Sequence, residues 1–297
     1  MMTINNMKKA TDREKALATD IWQQFHAQNY DKARSLLDGA LRNIGHQRFR
    51  RIEARFELFE GNEGNAAKIL REILPNVWHP GSWELAISGV GYCRAREVVA
   101  EKILFFPVPK CGSTSVMNIL KLIEGEEPRG EDIHQEDKKK SLINLKMQGD
   151  LQDNYFTCAL VRDPAVRLVS FFHGNIMTRD QLTKHHSGLE EFYGLRTRPD
   201  LAFFIENLER YRQVFITARN HTEPLVSFLG NDLSIFSWIG GLDDLPDLVA
   251  SLSARTGKYL PVLSEMASPD KPSEILELPE AITALYAADY QYYSQFF

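Results

Sequence analysis

Apolar positions over the first eighty residues recur at helical spacing. In "YDKARSLLDGALRNIG" they are Ala33, Leu36, Leu37, Ala40 and Leu41, and in "GNEGNAAKILREILPNV" they are Ala66, Ile69, Leu70, Ile73 and Leu74. Both sets run i, i+3, i+4, i+7, i+8, the stripe of an amphipathic helix that buries one face. Each member of the second set lies 33 positions after its counterpart. A further helical pattern precedes each stripe, "LATDIWQQFHAQN" and "RFRRIEARFELFEG".

Two helix pairs at one period resemble a degenerate pair of tetratricopeptide-type hairpins. Such repeats bury their faces on neighbours, so this region is expected to dock on the rest of the chain and to offer a surface to a protein partner. The stretch "LPNVWHPGSW", residues 74–83, breaks the pattern with Pro and Gly, and a boundary is placed near residue 80. Residues 1–80 then form a helical region and residues 81–297 a second domain.

Beyond the break the period changes. "KILFFPV" and "YFTCALV" are continuous apolar runs of strand length, and "VFITAR" and "FSWIGG" are shorter strand candidates. Helical patterns cover 113–124, 164–177, 200–210, 243–255 and 279–294. Buried strands alternating with helices predict an α/β fold with a mainly parallel sheet covered on both faces. The run "DKKK" at 137–140 reads as a solvated loop.

Composition narrows the function. The chain has 297 residues, 43% hydrophobic, with a net charge of −5, which disfavours nucleic acid as the main partner. No apolar run approaches the ~18 residues that span a bilayer, and the polar N-terminus lacks a signal-peptide core, so a cytoplasmic location is expected. Cys93, Cys111 and Cys158 are odd in number and widely spaced, which argues against a disulfide framework or a zinc site.

Chemistry concentrates in "ILFFPVPKCGSTSVMNILKLI", residues 103–123. A buried strand, a tight loop and a helix make an anion cradle, because the first-turn N–H groups and the helix dipole both favour negative charge. Gly112 admits close backbone approach, Ser113, Thr114 and Ser115 add hydroxyls, and Lys110 adds a cation. The lysine precedes the glycine, unlike the G-x-x-x-x-G-K-[ST] loop of nucleotide triphosphatases. A second strand ends at Arg162 in "FTCALVRDPAVRLVSFFHGNI", where Asp163-Pro164 supplies an N-cap and a first-turn proline. Ser170 follows two turns later, and Arg162 with Ser170 suits a second anion.

"VPKCGSTS" with "LVRDPAVRLVS" resembles the two signatures of sulfotransferases that use 3′-phosphoadenosine 5′-phosphosulfate. The R-D-P-x-x-R-x-x-S form is most similar to the membrane-type carbohydrate sulfotransferases, such as the chondroitin 4-O group. "RNHTEPLVSFLG", "FSWIGGLDDLPDLVASL", "LPVLSE" and "LYAADYQYY" extend the resemblance over residues 102–297. Two departures stand out. Leu225 replaces the Gln of H-x-x-P-Q, and Ser264-Glu265-Met266 replaces a segment that usually carries Asn, where relatives close over the donor. The helical region stands in place of the usual anchor and stem, which implies a soluble bacterial enzyme.

The resemblance implies a P-loop-type three-layer fold and sulfuryl transfer to an acceptor hydroxyl, on a saccharide or glycolipid, leaving 3′,5′-ADP and needing no metal. It implies that Lys110 stabilises the leaving phosphate. The 5′-phosphate falls to the loop Lys110, Cys111, Gly112, Ser113, Thr114 and Ser115, and the 3′-phosphate to Arg162 and Ser170. A base is expected among His134, His173 and His221, with Glu131 a weaker candidate. Arg167 reads as a helix support, His185-His186 as solvent-facing, and Cys111 as a possible thiol nucleophile at a helix start. Two other readings stay open: an ATP-dependent kinase-like enzyme, and a helical-repeat interaction protein with a degenerate transferase domain.

Overall fold

The computed structural model describes residues 11–44, 47–77, 80–89, 92–133, 140–144, 154–186, 188–263 and 278–297. In chain order, α1 (Asp12–His26), α2 (Tyr30–Asn43), α3 (Gln47–Phe59), α4 (Glu63–Ile73) and α5 (Ser82–Ser88) come first. Next are β1 (Tyr92–Val98), β2 (Ile103–Phe106), α6 (Ser113–Ile123), β3 (Lys140–Asn144), β4 (Phe156–Val161) and α7 (Pro164–Phe171). Then follow α8 (Gln181–His185), β5 (Glu191–Phe192), β6 (Leu195–Arg196), α9 (Leu201–Glu206), α10 (Leu208–Val214), α11 (Ile216–Thr222) and α12 (Val226–Leu229). Last are β7 (Trp238–Gly241), α13 (Leu245–Thr256), α14 (Glu280–Leu285) and α15 (Ala287–Tyr293).

The chain divides into two compact units. The first comprises Met1–Val90, Asp180–Asp200 and Asn207–Arg219. Helix α1 starts in a capping box: the Thr11 hydroxyl accepts from the Glu14 N–H, and the Glu14 carboxylate accepts from the Thr11 N–H. Helices α1 and α2 pack together, as do α3 and α4. Their stripes are buried at Ala33, Leu37 and Ala40 and at Ala66, Ile69, Leu70 and Ile73. An aromatic core gathers around Phe25, with the rings of Phe59 at 5.1 Å, Tyr193 at 5.2 Å and Phe56 at 5.4 Å. Rings of this size bury the most apolar area per residue, and edge-to-face or offset-stacked pairs such as Phe25 with Phe59 and with Phe56 add about 0.5–1.5 kcal/mol each.

The second unit comprises Gly91–Arg179, Leu201–Glu206 and Asn220–Phe297. Its sheet has the order β3-β1-β2-β4-β7. β2, β4 and β7 are parallel neighbours, while β1 pairs antiparallel with both β2 and β3. Four of the five described strands therefore run one way, and the fold is α/β with a mainly parallel sheet, as the apolar runs predicted. Every residue of β2 is buried, which a strand covered on both faces requires. The carboxyl ends of β2, β4 and β7 lie at one edge, and in open α/β sheets ligands bind outside that edge. Gly241 closes β7 there: a Cβ on it would lie 2.5 Å from the Phe296 carbonyl oxygen, so only glycine lets the C-terminal turn pack so close.

Some elements differ from expectation. "VFITAR" is not a strand: it spans the end of α10 and the start of α11, with Phe215 extended between them. Across the two helices the buried residues Tyr211, Val214, Phe215, Ala218 and Thr222 follow helical spacing, which a six-residue window conceals. Arg55 fixes the end of α10, donating to the carbonyls of Gln213 at 2.7 Å and Val214 at 2.5 Å. The helix expected over 164–177 is α7 followed by a π-helix, Phe172–Thr178. The patterns at 200–210 and 279–294 each break into two short helices. β1 has no apolar run, because charged residues interrupt "YCRAREV", yet Arg96 is buried there and ion-paired with Glu124. Lys140 of the run "DKKK" opens β3, and residues 137–139 lie outside the described residues.

Candidate active site

Two residues in the left-handed region shape the loop between β2 and α6: Lys110 at φ +66° and Gly112 at φ +70°. Gly112 is forced. A Cβ there would lie 2.7 Å from Leu242 Cδ1 and 3.5 Å from Leu160 Cδ1, and L side chains rarely adopt the conformation. Gly112 is also the N-cap of α6 and has no side chain of its own to cap the first-turn N–H groups. Ser113, Thr114 and Ser115 are buried in that turn. Lys110 lacks glycine's freedom, and its conformation is the kind of local strain that concentrates at functional loops.

The Lys110 ammonium donates to Asn175 Oδ1 at 3.1 Å. Asn175 is buried and belongs to the π-helix that follows α7. A Cβ on the preceding Gly174 would lie 3.1 Å from Lys110 Nζ and 3.9 Å from an Arg179 guanidinium nitrogen. Two cations therefore share the space above Gly174. π-helical turns recur at functional sites because they re-aim side chains locally. Neither Gly174, Asn175 nor Arg179 was singled out from the sequence. The signal available was a glycine inside a helical pattern, in "FFHGNI".

Arg162 leaves the end of β4 half-buried. Burial holds its pKa below the usual guanidinium value, with Asp243 and Asp163 in electrostatic reach. Among the described residues its guanidinium makes no hydrogen bond and no ion pair. A desolvated cation without a bonded partner is costly unless a ligand completes it. Asp163 caps α7, accepting from the Val166 N–H at 3.0 Å. Ser170 is half-buried on α7 and likewise makes no hydrogen bond among the described residues.

Lys110, Arg162 and Arg167 all bear electrostatically on Cys111. Burial nevertheless pushes the Cys111 thiol up to about 11, so it stays protonated near neutral pH and does not act as a nucleophile. Arg167 is fully buried and spoken for. It donates to the Pro109 carbonyl at 3.3 Å and the Glu223 carbonyl at 3.2 Å, tying the lysine loop to the segment before α12. That segment is pinned by Asp289, whose carboxylate accepts from the N–H groups of Leu225 at 2.7 Å and Val226 at 3.0 Å. The Leu225 side chain is fully buried in the core.

His173 is half-buried on the π-helix, edge-on to Phe172, two residues before Asn175. His221 is half-buried and stacks on Phe171 at 4.9 Å. His134 lies outside the described residues, as do residues 264–275 of the segment 258–275 expected to close over the donor. Asn118 of α6 fastens the chain ahead of His134, accepting from the Arg129 N–H at 2.7 Å and donating to the Gly130 carbonyl at 3.1 Å. Glu131 lies in the short turn Gly130–Asp132. His185 and His186 belong to the first unit. His185 is exposed, but His186 is half-buried against Phe192 at 4.3 Å, so only the former faces solvent as expected. No group of His, Cys, Asp and Glu suited to a metal occurs among the described residues.

Residues 99–259, more than half of the chain, match the family model described as "Sulfotransferase family". Comparison with curated proteins and with solved structures found no match.

Proposed function

The chain belongs to the sulfotransferase family, and on that premise we propose that it moves a sulfuryl group from 3′-phosphoadenosine 5′-phosphosulfate to a hydroxyl of a carbohydrate or glycolipid acceptor. The carrying observation is the half-buried Arg162 guanidinium, which lacks a bonded partner among the described residues at the same sheet edge as the Lys110 loop. Two separated cationic positions fit a donor that bears both a 5′-phosphosulfate and a 3′-phosphate.

In this reading the α6 N-terminal turn, with Gly112, Ser113, Thr114 and Ser115, holds the 5′-phosphate, and Arg162 with Ser170 holds the 3′-phosphate. The acceptor oxygen bonds to sulfur as the bond from sulfur to the phosphate oxygen breaks. Lys110 neutralises the charge that collects on the leaving oxygen. Asn175 keeps the Lys110 ammonium aimed across the loop, so little reorganisation is needed when charge develops. The acceptor proton goes to a histidine, with His173 and His221 available in this unit and His134 a third candidate. The helical region over residues 1–80, of tetratricopeptide type in this proposal, offers a surface for a protein partner. Three buried free cysteines suit a reducing, cytoplasmic compartment of a bacterial cell.

The test is thermal stability with 3′,5′-ADP, against 5′-ADP and against ATP with magnesium, beside a transfer assay of Lys110→Ala. Selective stabilisation by the 3′,5′-bisphosphate, with transfer abolished in Lys110→Ala, is expected. No shift at millimolar ligand would leave a degenerate scaffold as the better account, and a shift with ATP and magnesium alone would point to phosphoryl transfer.

A further inference from the structure

We propose that the first unit carries a second ligand site, a cavity for a small ring-bearing acid that also offers a hydroxyl or N–H donor. The site is separate from the transfer chemistry and does not depend on it. Its volume is about 880 Å³, within the range of cavities that take small molecules. All of its described lining residues belong to the first unit.

The ring preference comes from two indoles. Trp22 of α1 and Trp83 of α5 both line the cavity and are both half-buried. Trp22 is held edge-on by Phe25 at 5.6 Å and Phe56 at 5.9 Å, so its orientation is set before any ligand arrives. Rigid aromatic walls give contact area at low entropic cost.

The preference for an acid comes from unequal charge. Arg48, Arg51 and Arg55 lie at i, i+3 and i+7 on one face of α3, and all three line the cavity. The one acid among the described lining residues, Glu84, is fully buried and already engaged. It takes two bonds from Arg51, each 2.6 Å, and a third from the Gly81 N–H. No other carboxylate is among the described lining residues. Arg55 shows the same imbalance: burial first, then repulsion from Arg219 and Arg210, lowers its pKa to about 9. An incoming anion would relieve that repulsion.

The donor requirement comes from His186. Its Nδ1 lies 2.8 Å from the Leu182 carbonyl oxygen, which can only accept, so Nδ1 carries the hydrogen. Burial keeps the ring neutral near pH 7. Nε2 is therefore the acceptor nitrogen of a ring that lines the cavity, a chemistry suited to an O–H or N–H of the ligand.

Hydroxylated sugar acids and hydroxylated aromatic acids share this chemistry, and calorimetric titration of the full chain distinguishes them. The probes are glucuronate and 4-hydroxybenzoate, their uncharged counterparts glucose and 4-hydroxybenzamide, and inorganic sulfate. At least one ring acid is expected to bind saturably at millimolar concentration or below, about tenfold tighter than its uncharged counterpart and than sulfate. Arg48→Ala and Trp83→Leu should each weaken that binding about tenfold while leaving stabilisation by 3′,5′-ADP unchanged, which also reports that the variants are folded. Absence of binding by both acids, equal binding of acid and uncharged ring, or binding unaltered in both variants would each overturn the proposal. If a variant fails to fold, the comparison of acid with uncharged ring in the native chain still decides it.

Discussion

Arg162→Ala separates a ligand-binding arginine from a structural one. The guanidinium makes no hydrogen bond or ion pair among the described residues, so removing it breaks no bonded contact there. Burial already disfavours its charge, so the unliganded variant should match the native stability within about 0.5 kcal/mol or exceed it. Ligand binding should suffer instead. Hydrogen bonds to a charged group contribute about 1.5–3 kcal/mol. A loss of about 2 kcal/mol raises Kd about 30-fold. A bisphosphate present at about 100 times its native Kd stabilises the native chain by about 2.7 kcal/mol, and the variant at the same concentration by only about 0.9 kcal/mol. Urea denaturation of both proteins with and without 3′,5′-ADP gives all four stabilities. The reasoning is refuted if the unliganded variant loses more than about 1 kcal/mol, or if the ligand increment stays near its native size.

Gly174→Ala places a methyl 3.1 Å from the Lys110 ammonium, closer than ordinary contact, so the ammonium must shift from its present position. Transfer should fall at least about tenfold while stability holds or rises by about 0.5 kcal/mol, since alanine favours helical backbone over glycine; unchanged kcat would sink the idea. All three thiols are raised by burial, Cys111 to about 11, Cys93 to about 12 and Cys158 further. Iodoacetamide near pH 8 should therefore label none of them in the folded chain and all of them in urea, as mass spectrometry would count. Burial, foremost, depresses His26 and His186, the latter to about 4. Below the unfolded value of about 6.5 the unfolded chain binds protons that the folded chain refuses, so stability contributed by these rings is lost as pH falls from about 6.5 towards 4. Replacing His186 by Phe, among Phe192 and Phe215, should shrink the drop in urea midpoint between pH 7 and pH 5, and an unaltered drop would count against the assignment.

Local pattern carried much of this protein. Apolar stripes at helical spacing located α2 and α4, continuous apolar runs located β2 and β4, and Asp163-Pro164 marked the start of α7, because each signal is completed within a few residues. The loop at Lys110–Ser115 was legible for the same reason: a strand, a glycine and a helix in succession make a cradle wherever the chain goes next. Tertiary structure decided the rest. "VFITAR" has β-branched residues, but a burial stripe at helical spacing and the Arg55 cap on the Gln213 and Val214 carbonyls set it across the junction of two helices. Arg167 and Arg162 stand five positions apart and look alike in sequence; only the carbonyls of Pro109 and Glu223 show which is tied down. The meeting of Lys110 with Asn175 spans 65 positions and depends on a π-helix that no periodicity announces. Helical and strand periods encode which face of an element is buried, whereas partners for polar side chains come from distant segments, and only the folded chain brings those within hydrogen-bonding reach.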